Sequence, residues 1–159
     1  LLESLSNNYL KKKRMDLALK LLGDEVLTNK PNTVKEIDEY VVSLVDAMKV
    51  KMVECVGIGL AAPQVGHNVR ILVMKLGTGK IIEMINPRIS WCSEERVKME
   101  EGCLSIPGKR IWIDRPSKVR VKFQTAEGEF KYWCLHKMDA RVFLHEYDHL
   151  EGILMTERL

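Results

Sequence analysis

The sequence predicts an α+β fold in a single domain, mainly antiparallel β-sheet packed around a helix bearing a metal-binding His-Glu-x-x-His motif. Three observations carry this. An early segment repeats apolar residues at helical spacing, the middle of the chain alternates apolar with polar residues, and the last segment holds His145-Glu146-Tyr147-Asp148-His149. At 159 residues the chain can bury one core without disulfide staples. Its 30% charged and 46% hydrophobic fractions are ordinary for a globular protein. A net charge of +3 gives no ground for nucleic-acid or membrane binding, and no apolar run approaches the length that spans a bilayer. Cys55, Cys92, Cys103 and Cys134 form no Cys-x-x-Cys pair, which argues against a zinc ribbon and against a secreted disulfide framework.

Residues 1–14 read as an N-terminal extension ending in the basic run Lys11-Lys12-Lys13-Arg14. A solvated tail, tag residues and the remnant of an organellar targeting segment all fit it; a secretory signal does not, because no apolar stretch precedes a small-residue cleavage site. Asp16 to Pro31 reads as an irregular lead-in with a turn at Gly23-Asp24. Thr33-Val34-Lys35-Glu36 has the form of a capping box. Val34, Ile37, Val41, Leu44, Val45, Met48 and Met52 then recur at helical spacing, and Gly57 is placed to close the helix in a left-handed conformation. Val69 to Leu76 reads as a strand, Gly77-Thr78-Gly79 as a turn, and Ile81 to Ile85 as a second strand broken at Asn86-Pro87. Lys118 to Phe123 alternates strictly and turns at Glu127-Gly128 into Phe130 to Leu135, an antiparallel hairpin. The final helix runs from about Ala140 through the histidine motif, with Gly152 as its stop.

Three stretches carry chemistry. On a helix His145 and His149 lie one above the other and can share a cation, while Glu146 reaches the same place to exchange protons with a water. Two surface histidines on an amphipathic helix are the plainer alternative. Gly57-Ile58-Gly59-Leu60-Ala61-Ala62-Pro63-Gln64 lets backbone approach a ligand closely and ends on an amide that can donate to developing negative charge. The same run also serves as a tight helix-to-strand connection, and without Gly-Lys-Ser/Thr it is no phosphate loop. In Glu101-Gly102-Cys103-Leu104-Ser105, Cys103 is either a small buried hydrophobe or the thiolate that completes a ligand set with the two histidines. Cys134 with His136 is the competing pair, but nothing four residues away finishes a site there.

Together, in this order, the three stretches resemble the peptide deformylase family, and the resemblance spans about Met15 to Leu159, a catalytic domain of residues 15–159. Leu144 stands where that family usually carries glutamine, so a hydrogen bond to the site is replaced by packing. The resemblance implies a metal-dependent hydrolase of protein biosynthesis. It removes the formyl group from the N-terminal formylmethionine of new polypeptides and releases formate. It further implies Cys103, His145 and His149 as ligands of one divalent ion, usually ferrous iron, with zinc, nickel or cobalt able to substitute, and a water in the fourth position. Glu146 would be general base and then acid; Gln64 and the Leu104 amide would stabilise the oxyanion. Ile58 and Gly59 would bind the peptide backbone as an added strand, and Arg110 would line side-chain subsites. Its implied partners are nascent formylmethionyl peptides near the ribosome, with no direct reading of nucleic acid and no membrane. The implied place is the cytoplasm for a bacterial or phage protein, or an organelle for a eukaryotic one. Two alternatives stay open from the residues: a zincin-type metallopeptidase, and an inactive deformylase-like binding protein.

Overall fold

The β-sheet that positions the site exists because apolar residues alternate along strands that pair antiparallel throughout. A computed structural model describes residues 15–159, and the extension over residues 1–14 lies outside the described residues. A five-stranded sheet has the order β1-β2-β3-β6-β7, built from β1 (Gly59–Ala61), β2 (Ile71–Lys75), β3 (Ile81–Cys92), β6 (Lys118–Gln124) and β7 (Phe130–His136). A separate two-stranded sheet pairs β4 (Arg96–Cys103) with β5 (Ile106–Pro116). Two α-helices, α1 (Glu39–Glu54) and α2 (Lys137–Leu150), pack on opposite faces of the larger sheet.

The two faces of the strands show the reason. Ile71 and Val73 on β2 join Ile85 on β3 and meet Val41, Leu44, Val45, Met48 and Met52 of α1. Their neighbours Leu72, Met74, Ile82 and Met84 point the other way, joining Val119, Val121, Phe123 and Leu135 against Ala140, Phe143, Leu144 and Leu150 of α2. Central strands buried on both faces read as continuous apolar runs, and Ile71-Leu72-Val73-Met74 is one. A third, smaller cluster of Cys103, Ile106, Ile111, Ile113 and Met155 seats the β4–β5 hairpin.

Three sequence expectations are corrected. The first helix starts at Glu39, not at Thr33, and Asp38 caps it by accepting from the Val41 amide at 3.0 Å. Val34 stays outside the helix instead, because the Asn86 side chain bonds both its N–H and its C=O at 2.8 Å. At the other end the left-handed residue is Val56 (φ 55°), not Gly57. The Val56 and Gly57 amides donate to the Val53 and Met52 carbonyls, a Schellman closure with a β-branched residue at its strained position. Asn86-Pro87 does not end β3: Asn86 (φ 50°) forms a bulge, the register shifts between Ile85 and Arg88, and the strand continues to Cys92. At the bulge Pro87 is tolerated although it lacks an N–H. The β4–β5 hairpin was not among the sequence expectations: Val97 and Met99 alternate with charged residues in its first half, but the run is short and Val97 stays exposed. The final helix does close at Gly152 (φ 72°), where a Cβ would lie 2.7 Å from the Thr28 carbonyl.

Candidate metal centre

Helix α2 carries His145 and His149 one turn apart, their ring centroids separated by 5.3 Å and both side chains buried. Strand β4 delivers Cys103 as its last residue, at the tight turn into β5. The thiol sulfur lies 3.5 Å from His149 Nε2, and the ligand atoms of Cys103, His145 and His149 all fall within 4.8 Å of one another. Among the described residues this is the one grouping of its kind. Cys134 and His136 are exposed on β7 and do not join it.

The surroundings orient these atoms. Glu101 sits two residues before Cys103, on the same face of β4, and takes the His145 Nδ1–H at 2.8 Å. That hydrogen bond leaves Nε2 of His145 turned toward the sulfur and His149, the carboxylate–histidine arrangement typical of metal sites. Gln64, 1% exposed, accepts the Ala61 amide through Oε1 at 2.9 Å. Its amide orientation is thereby set, and Nε2 points at Cys103 Sγ (3.6 Å) and Ser105 Oγ (3.2 Å). Glu146 is buried, and among the described residues neither its Oε2 nor His149 Nδ1 has a hydrogen-bond partner. Gly59 packs so closely over Glu146 that a Cβ there would lie 2.6 Å from Oε1.

Charge follows from this packing. Burial pushes the Glu146 carboxyl up to about 7, against the opposing pull of His145. Burial would lower His145, but hydrogen bonds to Cys103 and Glu101 and the Glu146 charge outweigh it and lift it to about 10. Burial, with the His145 and Arg115 charges adding, holds His149 down at about 3. The Glu101 and Glu146 carboxyls make the space beside His145 favourable to a cation. A thiolate and two imidazoles are donors suited to zinc and its first-row neighbours, so the residues present fit a divalent ion.

Sequence reasoning missed the layer behind the ligands. Arg115 grips Glu101 through two hydrogen bonds, 2.7 and 2.9 Å, and reaches Asp148 at 2.8 Å. Arg141 donates to Glu101 at 2.7 Å and to the backbone carbonyls of Ile113 and Val97, tying α2 to the hairpin. Burial pushes Glu101 up, but His145, Arg115 and Arg141 hold it well below the usual carboxylate range. Such a network costs about 3–5 kcal/mol to break at one member, since it leaves a buried charge unpaired. The i,i+2 relation to Cys103 was the available signal for Glu101; Arg115 offered none.

A cleft of about 620 Å³ opens onto the centre, with Ile58, Gly59, Leu104, Arg110, Met138 and Glu146 among its walls. Arg110 stands at the mouth, exposed and paired with Glu100 at 3.0 Å, so the structure does not bring it to the ligands. Leu144 is buried in the core against α2's neighbours.

A family model described as polypeptide deformylase matches residues 17–159. The chain is 40% identical over 141 residues to a peptide deformylase of Thermotoga neapolitana, covering 89% of this chain and 85% of the relative. It is 41% identical to the chloroplastic/mitochondrial peptide deformylase 1B of Arabidopsis thaliana, over 86% of this chain and 51% of that protein. The crystal structure of peptide deformylase from Thermotoga maritima superposes with a TM-score of 0.88 at 37% identity, covering 91% of this chain and 98% of that one.

Proposed function

The chain belongs to the polypeptide deformylase family, and from that premise we propose that Cys103, His145 and His149 hold the metal ion on which its activity depends. The reaction is the family's: hydrolysis of the formyl amide at the N-terminal formylmethionine of a new polypeptide, yielding formate and a free amine. A divalent ion bound there supplies Lewis acidity and a nucleophilic water near neutral pH. We assign it as ferrous iron, with zinc, nickel or cobalt able to take its place; ferrous iron beside a thiolate is open to oxidation.

The chain's own groups do the rest. Glu146 accepts a proton from the attacking water and returns it to the departing amine, two tasks suited to a carboxyl poised at about 7. Gln64 Nε2 and the Leu104 amide donate to the oxygen that gains charge as the formyl carbon becomes tetrahedral. Strand β1 is an edge of the larger sheet, so Ile58 and Gly59 offer backbone to which an extended peptide adds as a strand. Arg110 at the cleft mouth lines the side-chain subsites.

The observation that carries this reading is the convergence of Gln64, Cys103, Glu146 and the two histidines on one point from three separate elements. A zincin peptidase gives no role to Cys103 or Gln64, and both lie at the centre. Substrate would be met as it leaves the ribosome. That means the cytoplasm of a bacterial host or an organelle, consistent with bacterial and chloroplastic/mitochondrial relatives. Among the described residues no helix is long and apolar enough to cross a membrane.

The test compares nickel-loaded protein on formyl-Met, acetyl-Met and unmodified Met peptides. Formate release from the first, with little turnover of the second and no internal cleavage of the third, is expected. Equal rates on the acetylated peptide, or internal cleavage, would overturn the assignment.

A further inference from the structure

Helix α1 covers only β1, β2 and the first half of β3 on its side of the larger sheet, and among the described residues no other element covers the remaining strands there. That bare face is chemically lopsided. The segments 87–92, 118–124 and 130–136 turn four Lys/Arg to this side (Arg88, Lys118, Arg120 and Lys122) and contain no Asp or Glu, while Lys131 falls on the opposite parity and pairs with Glu129 at 3.0 Å. Strand register places Arg88 opposite Lys122, Lys118 opposite His136, Arg120 opposite Cys134 and Lys122 opposite Tyr132. Their alternate neighbours Val119, Val121, Phe123 and Leu135 are buried against α2, so these residues all point outward.

Aromatic rings are interleaved with the cations. Trp91, Phe130 and Tyr132 are 42%, 56% and 70% exposed. The Arg120 guanidinium lies 5.0 Å from the Trp91 ring centre, and Lys122 Nζ lies 4.7 and 5.5 Å from those of Phe130 and Tyr132. Three large exposed rings clustered on one sheet face point to a partner, and the cations choose its charge. A sheet face bearing exposed rings between positive charges matches the stacking and phosphate contacts that unpaired nucleotides make. An acidic protein would satisfy the cations but not the rings.

We propose that the outer face of β3, β6 and β7 binds single-stranded RNA without reading its sequence, through Arg88, Lys118, Arg120 and Lys122 to phosphates and Trp91, Phe130 and Tyr132 to bases. The face lies across the sheet from the metal centre, so binding is independent of the cleft and of the reaction there.

Fluorescence anisotropy of labelled oligo(U) against the whole protein tests this. With four phosphate contacts, affinity falls roughly fiftyfold between 50 and 200 mM salt. Arg120→Ala with Lys122→Ala lowers affinity and reduces the log–log salt slope by about 1.4. Tyr132→Ala lowers affinity roughly fivefold to a hundredfold with the slope unchanged, as loss of one stacked base requires. Formyl-Met peptide turnover, expected to stay at wild-type level in all variants, shows that each has folded. No binding at 50 mM salt would overturn the proposal. So would equal competition by duplex RNA, an unaffected Tyr132→Ala, or binding to phosphatidylserine vesicles without binding to oligo(U).

Discussion

Gly59→Ala is the sharpest perturbation the metal centre offers. Gly59 is paired to Met74 in β1, so its backbone is held by the sheet and cannot retreat. An added Cβ would lie 2.6 Å from Glu146 Oε1, 2.8 Å from its Cγ and 2.9 Å from its Cδ. Ordinary contact begins near 3.4 Å, so the carboxylate must move away by about 0.8 Å. Displacing a reacting group by about 1 Å costs on the order of a hundredfold in rate, roughly 2.7 kcal/mol of barrier. Gly57→Ala provides the matched control. There the added Cβ would be 2.8 Å from Leu104 Cδ1, the far end of a side chain that can rotate. Steady-state formate release should show kcat of Gly59→Ala down about a hundredfold, metal content unchanged, and Gly57→Ala within about fivefold of wild type. A Gly59→Ala enzyme retaining a third of wild-type kcat would refute the claim that this glycine sets the position of Glu146.

Glu146→Gln should keep one metal per chain and the wild-type melting temperature while losing roughly 10²–10⁴ in turnover, measured on metal-loaded protein. Cys103→Ser should weaken metal binding strongly in chelator competition, because a neutral hydroxyl replaces a thiolate; unchanged affinity would remove Cys103 from the ligand set. Val56→Gly should raise stability by about 1 kcal/mol, or about 2–4 °C in melting temperature, by relieving a left-handed valine. A lower melting temperature would contradict that. Burial raises the Glu83 carboxyl, but Lys49 at 2.6 Å and the Ala126 amide lower it overall. A depressed carboxyl contributes stability that is complete above its unfolded value of 4.5 and is lost as pH falls through the folded value. Glu83→Gln should therefore flatten the fall in melting temperature below pH 4.5, and an unchanged profile would dismiss the pair.

What the sequence by itself determined was local. The 3.6 period located the body of α1, the 2.0 period located β6 and β7, and the spacing of His145 and His149 put two imidazoles on one helical face. These patterns act over four residues or fewer, so they survive being read one segment at a time. Tertiary structure decided where they were overridden. Asn86, 52 residues from Val34, captures its backbone and delays α1 to Asp38, although Thr33-Glu36 has the local form of a helix start.

The same division runs through the site. Cys103 was readable as a ligand candidate, but its meeting with His149, 46 residues away, depends on how the hairpin docks on α2. Arg115 and Arg141 reach Glu101 across 14 and 40 residues, and nothing near either arginine announces it. Net charge is silent for a related reason: +3 summed over the chain does not show that Arg88, Lys118, Arg120 and Lys122 share one side of the sheet, because a sum has no geography. Local propensity is settled by neighbours in the chain. The orientation of His145, the aim of Gln64 and the position of Glu146 are settled by groups that become neighbours only when the chain closes, where low dielectric and close packing make them decisive.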